Sequence, residues 1–177
     1  MKKLVECVPN ISEGRDQGVI EAVTSVINEV DGVHLLDVDP GADTNRTVIT
    51  FIGSPEGVAE AAFRVVKRAA ELIDMSKHSG AHPRHGATDV CPFVPVRGVT
   101  MDECVELAQR LGERVGGELE IPVYLYEAAA TRPERENLAK VRKGQFEGLR
   151  EEIGTNPAKD PDYGPNRIHP TAGAIAI

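Results

Sequence analysis

Val33 to Ile73, VHLLDVDPGADTNRTVITFIGSPEGVAEAAFRVVKRAAELI, carries two strands, the turn between them and a helix in one unbroken run. Val33 to Val38 reads as a strand, and Asp39-Pro40-Gly41 turns the chain. Arg46 to Ile52 is rich in β-branched residues, and the short connection predicts that it pairs antiparallel to the strand before it. Ser54-Pro55-Glu56 then opens a helix: a serine N-cap, a proline at the first helical position, and a carboxylate favourable to the helix dipole. Val58, Ala61, Ala62, Val65, Ala69, Leu72 and Ile73 recur near the 3.6-residue period and predict its buried stripe. A hairpin followed directly by an amphipathic helix needs a sheet with a helix laid on it.

The same alternation extends outward. Leu4 to Val8 reads as a first strand, stopped by Pro9 and Asn10, and ISEGRD follows as a loop. Asp16 caps a helix with Val19, Val23, Val26, Ile27 and Val30 inward, ended by Gly32. Downstream, Asp89 to Val96 reads as a strand. Thr100 and Glu103 form a capping box for a helix with Cys104, Ala108, Leu111 and Val115 inward. Val123 to Tyr126 is a further strand, and Arg132 to Glu152 is helical in character, broken at Gly144. The pattern predicts an α/β fold of the α+β type, a mixed β-sheet with helices packed on one face. Gly154 to Gly173 lacks periodicity, and a loop that long is functional or a linker. Ala174 to Ile177 reads as the start of a strand that pairs or continues.

At 177 residues the chain suits one domain, 1–177. Its net charge of -8 argues against a nucleic-acid binder and against a polybasic membrane anchor. Three widely spaced cysteines, Cys7, Cys91 and Cys104, give neither a disulfide framework nor a zinc knuckle; they read as small buried apolar residues in a reducing compartment. No apolar run after MKK could serve as a signal segment, so a cytoplasmic protein is expected.

Three of the five histidines, His78, His82 and His85, fall in the turn-rich segment Asp74–Pro95, DMSKHSGAHPRHGATDVCPFVP. Imidazole titrates near neutrality, so such a cluster suits proton chemistry. His78 and His82 stand four apart, but Gly80 and Pro83 oppose a helix there and the glutamate of an HExxH site is missing, so no metal is expected. Acid–base catalysis by at least one histidine competes with a purely structural role for all three. A second constellation, Asp37 to Val48, holds Asp39 where it could orient a histidine, though Asp39, Asp43 and Asn45 could equally just make the turn. Asn45 and Arg46 could instead bind polar substrate groups. Lys77, Arg84 and Arg97 bracket the histidines with positive charge and suggest a carboxylate-bearing substrate. No phosphate-cradling glycine motif is present.

LVECVPNISEGR, LLDVDPGADTNRTVITFIG, LIDMSKHSGAHPRHGATDVCPFVPVRGV and PVYLYEAAA, in this order, resemble the N-terminal subdomain of the glutamate formimidoyltransferase family from Leu4 to Gly173. The resemblance implies transfer of a formimidoyl group from N-formimidoyl-L-glutamate to N5 of tetrahydrofolate, a cosubstrate, in histidine breakdown. Some members of the family resemble formyl-transfer or folinate-handling enzymes instead. It implies His82 as the catalytic acid and base, with Asp39 holding its tautomer and Arg84 or Arg97 receiving glutamate carboxylates. The family's folate-binding segment falls on Gly164, Pro165, Asn166, Arg167, Ile168, His169, Pro170, Thr171, Ala172 and Gly173, making 154–177 a folate-binding tail and linker to a second subdomain. Ala81 and His85 stand where the family motif has glutamate and methionine. The alternative reading of the same resemblance is a folate-binding half-module, inactive without a second subdomain on a separate partner chain. An uncovered sheet face then predicts self-association, as a dimer.

Overall fold

The computed structural model describes all 177 residues. The hairpin forms as expected: β3 (Val33–Gly41) pairs antiparallel with β4 (Arg46–Gly53), with Gly41 opposite Arg46 at the turn and a bulge between Leu35 and Asp37. Before it come β1 (Leu4–Cys7), β2 (Asn10–Ile11) and α1 (Gln17–Ser25), the last capped by Asp16. After it comes α2 (Pro55–Leu72), whose Ser54 hydroxyl accepts from the Gly57 N–H. Val58, Ala61, Ala62, Val65 and Ala69 are buried as predicted, whereas Leu72, at the last turn, is 39% exposed.

Two stretches that read as one strand each are interrupted by proline. The first strand continues past Pro9 into β2, so Asn10–Ile11, expected as loop, belongs to the sheet. Its alternation of buried and half-buried side chains runs unbroken from Leu4 to Ile11. The predicted strand Asp89–Val96 is split into β5 (Thr88–Val90) and β6 (Phe93–Arg97) at Cys91-Pro92. Proline has no N–H to give a ladder. The neighbours bridge the gaps: Val8 N–H donates to the Pro92 carbonyl at 3.2 Å, and Ile49 N–H to the Pro9 carbonyl at 2.9 Å.

The sheet is completed by β7 (Val123–Tyr124) and β8 (Ile175–Ala176). Across it run β3, β4, the β1–β2 strand, the β6–β5 strand, β8 and β7. Pairings are antiparallel as far as β5, then parallel from β5 to β8 and from β8 to β7, which makes the sheet mixed. Ile175 and Ile177 point into the main core, and Ala174 and Ala176 point to the opposite face. Ala174–Ile177 is thus an internal strand buried on both sides, as its apolar pattern predicted, and not the linker that the family resemblance implied.

α1, α2 and α3 (Met101–Leu119) cover one face and enclose a 32-residue apolar cluster. α3 opens with the predicted capping box. Each fully buried valine or phenylalanine in this layer contributes about 1.5–3 kcal/mol. The other face is not bare throughout. The predicted helix over 132–152 forms as short pieces, α4 (Leu138–Val141) and α5 (Gln145–Glu152), separated by Gly144 at φ 90°. Leu138, Val141, Leu149 and Ile153 lie over Tyr124, Tyr126, Val90 and Ala176. This second layer covers only the β5–β8–β7 side; Leu36, Val94 and Val96, on the opposite side of the sheet, are exposed.

Candidate active site

The histidine loop is fastened at both ends and in the middle. Buried Met75 gives its N–H to the Thr171 carbonyl at 2.7 Å, and Ala81 N–H donates to the Asp43 carbonyl of the hairpin turn at 3.1 Å. Gly80 lies so close to that turn that a β-carbon there would sit 2.3 Å from the Thr44 carbonyl oxygen. Asn45, at φ 48°, is the staple: its Oδ1 accepts from Gly14 N–H at 2.9 Å and its Nδ2 donates to the Ser79 carbonyl at 3.1 Å. Three loops therefore meet on one buried amide, which leaves Asn45 a structural part rather than a free substrate contact.

The three imidazoles differ sharply. His78 Nε2 lies 3.0 Å from the Asn45 carbonyl, while its Nδ1 accepts from Arg84 Nε at 2.9 Å. Both nitrogens are engaged, and burial, reinforced by the Arg84 charge, pushes its pKa down. His85 is 1% exposed, with Nε2 3.1 Å from the Asp89 carbonyl; burial lowers its pKa too. His85 Nδ1 has no partner but is buried, so only His82 keeps an unpartnered nitrogen at the surface. Its Nδ1 lies 2.6 Å from the Pro83 carbonyl, a contact that requires Nδ1 to carry the proton. Nε2 then presents a lone pair, the arrangement a general base needs.

His82 lines a cleft of about 220 Å³ with Asn10, Asp39, Gly41, Thr44, Arg46 and Val48. Asp39 shares the cleft but makes no hydrogen bond to His82; the Pro83 carbonyl takes the position that a tautomer-fixing carboxylate would occupy. The alternation along β4 puts Arg46 and Val48 on the face away from α1–α3. The cleft therefore opens on the part of the sheet that α4 and α5 leave uncovered. A second concavity, between Phe93, Met101, Cys104 and Ala129, is apolar and gathers no convergent polar groups.

Arg84 is engaged elsewhere. Its five N–H donors go to Glu147 (2.7 and 2.9 Å), Gln145 Oε1 (3.1 Å), the His78 carbonyl (3.0 Å) and His78 Nδ1 (2.9 Å). It bolts α5 to the histidine loop and offers no donor to a ligand. Arg97 lies at the far end of β6, opposite Leu4, about 30 Å along the strand from the β5 end beside the cleft. Neither supplies the cleft with a cation. The residue that does is Arg46, held from behind by Asp89, which also pairs with Arg142. Asp89, the first residue of the strand expected over Asp89–Val96, carries no local sequence signal of its burial.

Gly164 to Gly173 runs from the end of α3 to the histidine loop. Gly164 packs on Gly116, Pro165 is half-buried, Asn166 bonds Asp160, and Arg167 reaches the exposed Glu120 at 3.4 Å. Ile168 leans on the core, and Pro170 is exposed. His169 Nδ1 accepts from the Thr171 and Ala172 N–H groups. Ala172 accepts from Ala87, and Gly173 bridges Gly86. The last residues of the segment thus buttress the histidine loop from below.

The sequence matches, over residues 4–177, the family described as the formiminotransferase domain, N-terminal subdomain. The chain belongs to the formiminotransferase family. It is 54% identical over 177 residues to the glutamate formimidoyltransferase of Streptococcus pyogenes, covering all of this chain and 59% of that protein. It is 49% identical over 174 residues to that of Thermoplasma acidophilum, covering 97% of this chain and 57% of the relative. With the mouse formimidoyltransferase-cyclodeaminase it shares 52% identity over 174 residues, 98% of this chain but 32% of that protein. The formiminotransferase subdomain therefore spans about three-fifths of the monofunctional relatives. None of its helices is long and apolar enough to cross a membrane. No group of three or more histidine, cysteine, aspartate or glutamate side chains is gathered as a metal site.

Proposed function

We propose that this chain supplies the His82 wall of a site that moves a formimidoyl group from N-formimidoyl-L-glutamate to N5 of tetrahydrofolate, in histidine breakdown. The observation that carries the reading is His82 itself. Of the loop's three imidazoles it alone keeps an unpartnered ring nitrogen at an open cleft, because the other unpartnered nitrogen, His85 Nδ1, is buried. N5 attacks the amidine carbon and a tetrahedral intermediate forms. Nε2 of His82 takes the proton that N5 sheds, then gives it to the departing glutamate nitrogen, so one proton passes through one imidazole. Asp39 lines the same cleft as His82, and the Pro83 carbonyl keeps the ring oriented. The segment Gly164–Gly173 contributes to folate binding beneath the loop. The remaining length of the relatives would pack over the open half-face, as a second subdomain on the same or a separate chain.

His82→Ala is expected to lower turnover by at least about a hundredfold, the scale of general acid–base catalysis. Tetrahydrofolate affinity should stay within about twofold. The measurement is formimidoyl transfer by the chain joined to the further length that its relatives carry; wild-type rates in the variant would remove His82 from the reaction. The limited span favours a companion reading, in which the isolated chain binds folate without turnover. Transfer by the chain alone would exclude it, and a formyl donor outcompeting the formimidoyl donor would reassign the acyl group. The reading also places the protein in the cytoplasm, where both substrates would be met.

A further inference from the structure

Asp89 is fully buried and accepts from two arginines on the same oxygen: Arg46 Nη1 and Arg142 Nη1 each lie 2.8 Å from Oδ2. Its other oxygen accepts the His85 N–H at 2.7 Å. Two guanidinium groups against one carboxylate, with His85 neutral, leave the cluster with one net positive charge. A partly desolvated excess charge is unfavourable unless a counter-charge arrives.

The donors are also incompletely used. Arg142 Nε is buried with no partner. Arg46 gives Nε to Asn10 Oδ1 at 3.1 Å and Nη1 to Asp89, while its Nη2 donates to nothing in the protein. Arg46 lines the His82 cleft, and its Nη2 is not among the buried atoms left without a partner, so it reaches solvent. The guanidinium is thus held from behind, with one edge toward the open side. Guanidinium prefers a carboxylate as the partner for such an edge.

We propose that Arg46, positioned by Asp89, Arg142 and Asn10, is a carboxylate-binding subsite on the floor of the His82 cleft, and that its ligand is a glutamyl carboxylate. The identity of that ligand rests on the functional reading above. Two substrates carry such a group: the formimidoyl donor and the glutamate tail of the folate. Arg46 takes over the role that the sequence had assigned to Arg84 and Arg97. Arg142, whose Nε is shut away, is a positioning residue acting through Asp89.

Calorimetric titration of the wild-type chain, Arg46→Gln, Arg46→Lys and Arg142→Gln with L-glutamate, N-formimidoyl-L-glutamate, folic acid and pteroic acid tests this. Arg46→Gln should weaken the carboxylate ligand about ten- to a hundredfold, the value of a lost charged hydrogen-bond pair. Arg46→Lys should recover part of that loss, and Arg142→Gln should show a smaller one. Circular dichroism of each variant confirms that it is folded, and Arg46→Lys keeps the test open should Arg46→Gln unfold. Weakening of L-glutamate and N-formimidoyl-L-glutamate assigns the subsite to the donor. Weakening of folic acid but not of pteroic acid, which lacks the glutamate, assigns it to the folate tail. Unchanged affinities in folded Arg46 variants overturn the subsite and leave the functional reading standing. A wild-type chain that binds none of the four ligands overturns the companion reading, in which the isolated chain binds folate, and the ligand assignment with it.

Discussion

Arg84 shows how far residue type alone can be trusted. In the sequence it is one of three cations around a histidine cluster; in the fold it is 6% exposed and bound at every donor. Arg84→Gln should therefore act on stability, costing about 2–3 kcal/mol through the lost paired charge and the stranded His78 groups. Glu147→Gln should reproduce part of this loss, about 1 kcal/mol, because that carboxylate is more than half exposed and screened. A shared fall in melting temperature checks it. A rise in KM for Arg84→Gln that Glu147→Gln does not share would return Arg84 to the substrate. Gly80→Ala tests the same loop from its other side. Its β-carbon would overlap the Thr44 carbonyl, so the loop must shift and transfer should fall about tenfold or more, since misplacing a catalytic group by an ångström can cost a hundredfold. Residue type and spacing did not separate the three imidazoles: His85 is fully buried in the same glycine- and proline-rich loop, whereas His82 stands at the cleft. Asp89 was not legible either, because nothing local tells a buried ionised aspartate from a strand-end turn residue.

At the scale of elements, the sequence was most legible where one local rule decided the outcome. Ser54-Pro55-Glu56 and the Thr100–Glu103 box both start helices where expected. The failures lie where tertiary contacts override periodicity. Pro9 read as a strand end and Pro92 as strand interior, yet the chain continues as strand past Pro9 and is split at Pro92, with neighbouring carbonyls and N–H groups bridging both. The charged stretch 132–152 looked like one helix but folds as separate pieces, because Phe146 must turn inward. Its N–H donates to the Arg84 carbonyl at 3.0 Å, and Glu147 closes the contact from outside. The Arg84 guanidinium holds Glu147 down to about 2. A carboxylate with a depressed folded pKa stabilises above its unfolded value near 4.5 and loses that contribution as pH falls toward about 2. The α5 contact should accordingly loosen between about pH 4.5 and 2, seen as earlier amide exchange of Phe146 and Leu149 than of the α2 core. Glu147→Gln should remove the pH dependence of that exchange; if the dependence survives, another carboxylate governs the contact.

For the whole molecule, the layers explain why the site lies where it does. Three long helices seal one face of the sheet, and the α4–α5 layer seals part of the other. The cleft with His82 and Arg46 occupies the margin of what is left open, so on the proposed reading whatever completes the second face would also close the cleft. That arrangement forces imidazoles inward. His78, His85 and His169 all have lowered pKa values, in each case chiefly through burial. A histidine whose folded pKa is depressed is neutral in the fold but protonates in the unfolded chain below about 6.5. Its contribution is complete above that pH and is lost as pH falls through the unfolded value toward the folded one. Each such group adds a slope of up to about 1.4 kcal/mol per pH unit. Stability measured by urea unfolding should therefore rise steadily from about pH 5 to pH 7, well above the range in which Glu147 titrates. Replacing fully buried His85 with glutamine should lower stability at pH 7 and flatten this rise, since the variant has one proton fewer to take up on unfolding. An unfolding midpoint that does not move between pH 5 and 7 would mean that these imidazoles titrate alike in both states, and that burial does not hold them neutral.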